Sequence, residues 1–152
     1  MVHEENTKVS IQLDKDLIFK SLFDFEKTRE IFIDETLEET EQMIGPDAAT
    51  LLGMTVISCL SASFIFCLNK RNLTIDDLEA SADISFYKTE KGYQRIENID
   101  VKMKPKTDDP DVLKRIKQCT REMRSGDMFF EETCIITPSV REGINIKVNV
   151  DL

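Results

Sequence analysis

Four cysteines are the residues of this chain best suited to chemistry: Cys59, Cys67, Cys119 and Cys134. A thiol that ionises becomes a nucleophile, a metal ligand or half of a disulfide. No pair forms a C-x-x-C, and His3 is the single histidine. A zinc site, which draws on closely paired Cys and His ligands, therefore has weak support. No metal and no cofactor is expected. What remains is redox or nucleophilic sulfur chemistry, set against plain packing, because a free Cys in a core behaves as a small hydrophobe.

Cys59 sits inside GPDAATLLGMTVISCLSASFIFCLNKR, where every residue from Ala48 to Asn69 is uncharged. At about 100° per residue, Ala48, Leu52, Thr55, Ser63 and Phe66 lie within about 40° of it on a helix. Most are small, which leaves room for a closely packed backbone or for a pocket around the sulfur. Leu52, Thr55, Ser63 and Phe66 are the candidate pocket lining. Cys67 lies about 80° further round and reads as core. Cys119 falls on the apolar face of a second helix, as core or as an alternative thiol partner.

The elements that must position these residues follow from periodicity. Val9, Ile11 and Leu13 alternate with polar residues, and DLIFKSLFDF and REIFIDET read as two more strands around the turn EKT. The acidic loop LEETEQMIG leads to Pro46 and Asp47, which suit a helix start. Leu78, Ala80, Ala82, Ile84 and Phe86 alternate along a strand, EKGY turns the chain, and Ile96 to Met103 return. TDDPDVLKRIKQCTREM carries a helix cap and a helical apolar stripe, with Gly126 expected to close it. Ile144, Ile146, Val148 and Val150 predict a last strand. This order is α+β with mainly antiparallel sheet, in one domain over residues 1–152.

The long apolar run could span a bilayer by length. Thr50, Thr55, Ser58, Ser61 and Ser63 dilute it, no Trp or Tyr flanks it, and the strands on either side need one continuous core. A buried helix is expected instead, covered by sheet on one side and by a second subunit on the other. A net charge of −9 without a basic stripe argues against nucleic acid and anionic membranes. MVHEENTKVS has no apolar segment of a secretory signal. A cytoplasmic location is expected, and with it thiols rather than structural disulfides.

GPDAATLLGMTVISC resembles the helix signature of the OsmC/Ohr family of osmotically induced and organic-hydroperoxide-resistance proteins. ETCIITPSVREGINIKVNV resembles that family's second signature, and FIDE and NLTIDDLEASADISF also fit. The resemblance implies an intertwined homodimer with long central helices wrapped by sheets. It implies thiol-dependent reduction of organic hydroperoxides, with Cys59 as the peroxidatic thiol, Cys134 as the resolving one and a dithiol as reductant. Capture by a second thiol keeps a sulfenic acid reversible.

The chain departs from the family at two points. Its Glu nine or ten residues before the helix Cys falls here on Thr50 or Ala49, with Asp47 or Glu41 as off-register stand-ins. Its Arg from an N-terminal strand is missing, the first arginine being Arg29, and Lys20 is the candidate for stabilising a thiolate. The alternative is therefore an OsmC-fold dimer without peroxidase activity, binding a small apolar ligand or sensing redox state.

Overall fold

The structure, a computed structural model, describes residues 10–22, 30–36 and 42–151. His3, Val9, the turn EKT, Arg29, Glu41 and most of the acidic loop lie outside these residues. The chain falls into two compact units, one of residues 1–53 with 84–98 and one of residues 54–83 with 99–152.

In the first unit, β1 (Ser10–Lys15), β2 (Ile18–Leu22) and β3 (Glu30–Asp34) form an antiparallel meander in that order. Asp16 makes the β1–β2 turn at φ 48°, a left-handed conformation that Asp tolerates. Ile18 and Ser21 are buried, whereas Ile11 and Leu13 on the edge strand β1 are exposed. Their alternation predicts a covered face, and no described element of this chain covers it.

The end of β3 holds the connection to the long helix. Asp34 is buried and accepts hydrogen bonds from the Thr36 hydroxyl at 2.6 Å, the Thr36 amide at 3.0 Å and the Ile44 amide at 3.0 Å. Its own amide donates to the Pro46 carbonyl at 3.1 Å. Gly45 is required by close approach: a Cβ there would stand 2.1 Å from the Phe32 carbonyl oxygen.

The helix α1 (Ala48–Asn69) starts on two carboxylates. Glu35 accepts from the Ala48 amide at 2.7 Å and Asp47 from the Thr50 amide at 2.7 Å, satisfying donors that a helix start leaves open. Its last carbonyls are also partnered. Phe66, Leu68 and Asn69 receive amides of residues 70–73, and Cys67 receives the Arg115 guanidinium at 3.2 and 2.9 Å.

In the second unit, α1 buries Val56, Leu60, Ser63, Phe64, Cys67 and Leu68. This stripe at helical spacing is the spine of a cluster that takes in Cys119, Phe130 and Cys134. The hairpin of β4 (Asp77–Lys88) and β5 (Gln94–Lys106) contributes Leu78, Ile99, Val101 and Met103 to the same cluster. Met54 and Phe66, on the other side of α1, are exposed. The expected covering of α1 on all sides is thus met on one side within the chain.

The helix α2 (Pro110–Cys119) is capped by Asp109, whose carboxylate accepts from the Asp111 and Val112 amides. It ends at Thr120, earlier than expected, and Gly126 at φ 89° shapes the following turn instead. A 3-10 helix (Phe129–Thr133) and α3 (Ile136–Glu142) follow. The expected last strand is not one here. Residues 143–151 pair with no strand among the described residues, and Ile144, Ile146, Val148 and Val150 are 61–79% exposed. A strand needs a neighbour for its backbone groups, and no described element of this chain supplies one to its tail. The architecture is α+β with antiparallel sheets and one long central helix, as the sequence predicts.

Candidate active site

Cys59 lies three turns into α1, with its half-buried side chain against the cluster. Cys134 caps the 3-10 helix and precedes α3, so its position depends on how those two short helices are held. Phe130 packs edge-on against Phe64 of α1, with ring centroids 5.5 Å apart. Glu131 is buried and accepts from the Met128 amide at 2.6 Å and from Arg141 at 2.9 Å. Arg141 also pairs with Asp127. The segment before Cys134 and the helix after it are thereby tied together.

The result is that two cysteines 75 positions apart stand with their sulfurs 3.0 Å from one another. Neither is in a disulfide. The Cys134 sulfur also accepts the Thr137 amide at 3.3 Å and lies 3.2 Å from the Thr137 hydroxyl. Burial pushes the Cys59 thiol up, the contact with Cys134 adds to that, and the Ile136 and Ile135 amides oppose it without reversing it. Burial pushes Cys134 up too. There the hydrogen bonds with Cys59 and the Thr137 hydroxyl and those from the Thr137 and Ile136 amides outweigh it, and the net shift is downward. The pair is able to hold one negative charge, form a disulfide and be reopened by thiols.

The other two cysteines are also paired, against expectation. Cys67 and Cys119 form a disulfide with their Cα atoms 6.1 Å apart. Both are buried, and they join the end of α1 to the end of α2. Proximity of two well-directed Cβ atoms decides such a bond, and the sequence could not show it. It also removes Cys119 as an alternative partner for Cys59 in this state.

The remaining nominated residues divide. Ser63, one turn beyond Cys59, is fully buried, and its hydroxyl has no hydrogen-bond partner among the described residues. Leu52 is half-buried and Thr55 exposed. Phe66 is exposed, beneath the Lys70 ammonium at 5.0 Å. Lys20 belongs to the first unit, 3.6 Å from Glu30 and 5.4 Å over the Phe32 ring. Asp47, the off-register stand-in for a missing Glu, spends its carboxylate on the helix cap. Among the described residues no group of three or more Cys, His, Asp or Glu could hold a metal.

Set beside solved structures, the chain aligns nearly end to end with proteins of one architecture. An OsmC-like protein from Mycoplasma pneumoniae covers 91% of it, and 89% of that protein is matched, at TM-score 0.66 and 13% identity. The fold is OsmC-like. A Vibrio cholerae OsmC-like protein of unknown function matches 88% of this chain and 94% of its own, at TM-score 0.62 and 13% identity. The organic hydroperoxide resistance protein OhrB of Bacillus subtilis matches 93% and 96%, at TM-score 0.59 and 14% identity. No protein-family profile and no curated protein sequence matches the chain.

Within this OsmC-like frame the sequence missed Thr137, Glu131 and Arg141. The signal for Thr137 is its place three residues after Cys134, where a hydroxyl can turn back on the preceding side chain. For Glu131 and Arg141 no local signal exists, because a charge pair ten residues apart is visible only once the turn between them is formed.

Proposed function

We propose that this OsmC-like chain reduces organic hydroperoxides with the Cys59–Cys134 pair. The observation that carries the reading is the 3.0 Å separation of two free sulfurs in a mainly apolar setting. The likeness in fold to an organic hydroperoxide resistance protein points the same way. The Cys59 thiolate attacks the terminal peroxide oxygen, the O–O bond breaks, and the alcohol leaves. Cys134 then attacks the sulfur of the sulfenic acid, water departs, and a disulfide closes. A dithiol restores both thiols by exchange.

The substrate's organic part would rest against Thr55, Ser63 and Phe66 of α1. A second copy of the chain would complete the enzyme. The support is an exposed, alternating apolar tail at Ile144–Val150 and the exposed Met54 and Phe66 on α1, surface that a lone chain leaves in water. The working location proposed is the cytoplasm.

The test mixes reduced protein with cumene hydroperoxide and a dithiol and follows peroxide loss. Turnover is expected in the wild type and absent in Cys59→Ser. The upward push on the Cys59 thiol supports a second reading, an OsmC-like dimer that binds an apolar ligand or senses redox state without turnover. No turnover, with Cys59 inert to alkylation at neutral pH, selects it.

A further inference from the structure

Ser63 of α1 is 0% exposed, and its hydroxyl makes no hydrogen bond among the described residues. Within a helix a serine hydroxyl can turn back onto the carbonyl four residues earlier, here that of Cys59. Ser63 makes no such bond. Its buried companions on the helix, Val56, Leu60, Phe64 and Leu68, have apolar side chains that offer it no acceptor. Burying a hydroxyl without a partner weakens a fold, so an orphan of this kind needs a reason.

The reason stands one turn away. Ser63 follows Cys59 by four residues on the same helix, a spacing that sets the two Cβ atoms about 5–6 Å apart on one face. The Cα–Cβ bond of a helical residue tilts toward the helix N-terminus, so Ser63 leans over the turn that carries Cys59. In the reduced protein it gives no hydrogen bond to the Cys59 sulfur. An oxygen added to that sulfur extends the Cys59 side chain by one bond and supplies the acceptor that Ser63 lacks.

We propose that Ser63 is the hydrogen-bond donor to the sulfenic oxygen of Cys59, and that it assists the departure of that oxygen when the disulfide closes. The inference deepens the peroxidase reading and rests on it for its chemistry. Once the peroxide O–O bond has broken, Cys59 is S–OH and the Ser63 hydroxyl donates to its oxygen. Cys134, 3.0 Å away, gives up its proton, and its sulfur electron pair attacks the Cys59 sulfur. The S–S bond forms, and the S–O bond breaks with its electrons leaving on the oxygen. Negative charge grows on that oxygen, and a hydrogen bond to it strengthens as it does. The oxygen takes up the proton that Cys134 released and departs as water. Cys134 is oxidised and the sulfenic sulfur of Cys59 is reduced, both to the disulfide level, and Ser63 loses no proton.

This role sets stability against rate. A bond absent from the reduced protein and present as the oxygen leaves lowers the barrier without steadying the starting state. Removing an unpartnered hydroxyl leaves the fold no weaker, whereas removing a donor to the leaving oxygen slows closure. A hydroxyl kept for packing alone would not slow closure when removed.

The experiment compares the full-length wild type with Ser63→Ala and with Ser61→Ala, the same change about 200° round the helix from Cys59. Each reduced protein is mixed with one equivalent of cumene hydroperoxide, and separately with excess hydrogen peroxide. Quenched samples are mapped by peptide mass for dimedone-trapped sulfenic acid, sulfinic acid and the Cys59–Cys134 disulfide. Urea unfolding gives the stability of each reduced protein. In Ser63→Ala sulfenic acid should form at the wild-type rate, and closure should slow about tenfold, the scale of one lost charge-assisted hydrogen bond. Sulfinic acid should rise, since the sulfenic acid waits longer for capture. The urea midpoint should equal or exceed that of the wild type, and Ser61→Ala should close at the wild-type rate. Unchanged closure in Ser63→Ala overturns the proposal, and so does equal slowing in Ser61→Ala. A lower urea midpoint for reduced Ser63→Ala also overturns it, because the hydroxyl would then already be bonded before oxidation. Slower closure of Ser63→Ala after hydrogen peroxide, with cumene hydroperoxide untouched by the wild type, would support the role of Ser63 and remove the organic hydroperoxide reading. A wild-type Cys59 that neither oxidant converts overturns both.

Discussion

Breaking the Cys67–Cys119 disulfide should cost more than any change at the surface. The bond spans a sequence separation of 52 residues. In the chain-entropy description, closing a loop of that length removes about 14 cal/mol/K from the unfolded chain, or about 4 kcal/mol at 25 °C. Both sulfurs are buried, and Cys119 is 0% exposed, so Cys67→Ala with Cys119→Ala adds a packing loss of about 1 kcal/mol. Urea unfolding at fixed protein concentration, followed by circular dichroism, measures the sum. With a slope of about 2 kcal/mol/M, the midpoint should fall by about 2.5 M. Reduced wild type isolates the tether from the packing and should lie between the oxidised protein and the double variant. A loss below about 1 kcal/mol in both would refute the reasoning and mean that the unfolded chain is not restrained by this bond.

Three further predictions follow from the frame around the site. Hydrogen bonds from the Thr36 hydroxyl and the Ile44 and Thr36 amides hold the Asp34 carboxyl below the usual carboxylate range, so its stabilising effect is present above about pH 4 and fades as pH falls through the lowered value. Asp34→Asn should therefore weaken the protein at neutral pH and flatten the acid limb of a stability-against-pH curve; an unchanged limb would count against it. Gly45→Ala drives a methyl into the Phe32 carbonyl and should cost at least about 2 kcal/mol by thermal unfolding, whereas Gly92→Ala, with open space around it, should cost less. Arg141→Met leaves buried Glu131 without its ionic partner and should cost about 1–3 kcal/mol, with slower closure of the Cys59–Cys134 bond in a stopped-flow assay.

How much of this was legible in the sequence depends on range. The meander, α1, the hairpin and the start of α2 could be read from periodicity and caps, because the information lies within a few residues of each element. The bounds of α1 match the uncharged run, and Asp109 caps α2 as its position before Pro110 predicts. What failed was non-local or conditional. The two short helices around Cys134 have no sustained period, and they stand because Phe130 packs on Phe64 and Arg141 holds Glu131. The tail from Ile144 to Val150 has a clear strand pattern and, among the described residues, no strand beside it, since pattern specifies a face to be covered and not the chain that covers it. At the site, Cys59 and Cys134 were nominated by resemblance, and the fold brings them together. The Cys67–Cys119 bond departs from the free thiols that a cytoplasmic location predicts, because the approach of the two Cα atoms to 6.1 Å is set by the fold and no sequence displays it.

The most direct measurement is a peptide map of the protein, with the Cys67–Cys119 bond intact, after one equivalent of an organic hydroperoxide. The account predicts a new cross-link between the peptides carrying Cys59 and Cys134, and a whole-chain mass lighter by two hydrogens. Both thiols recovered unmodified, or Cys59 carried on to sulfinic acid with Cys134 still free, would contradict it.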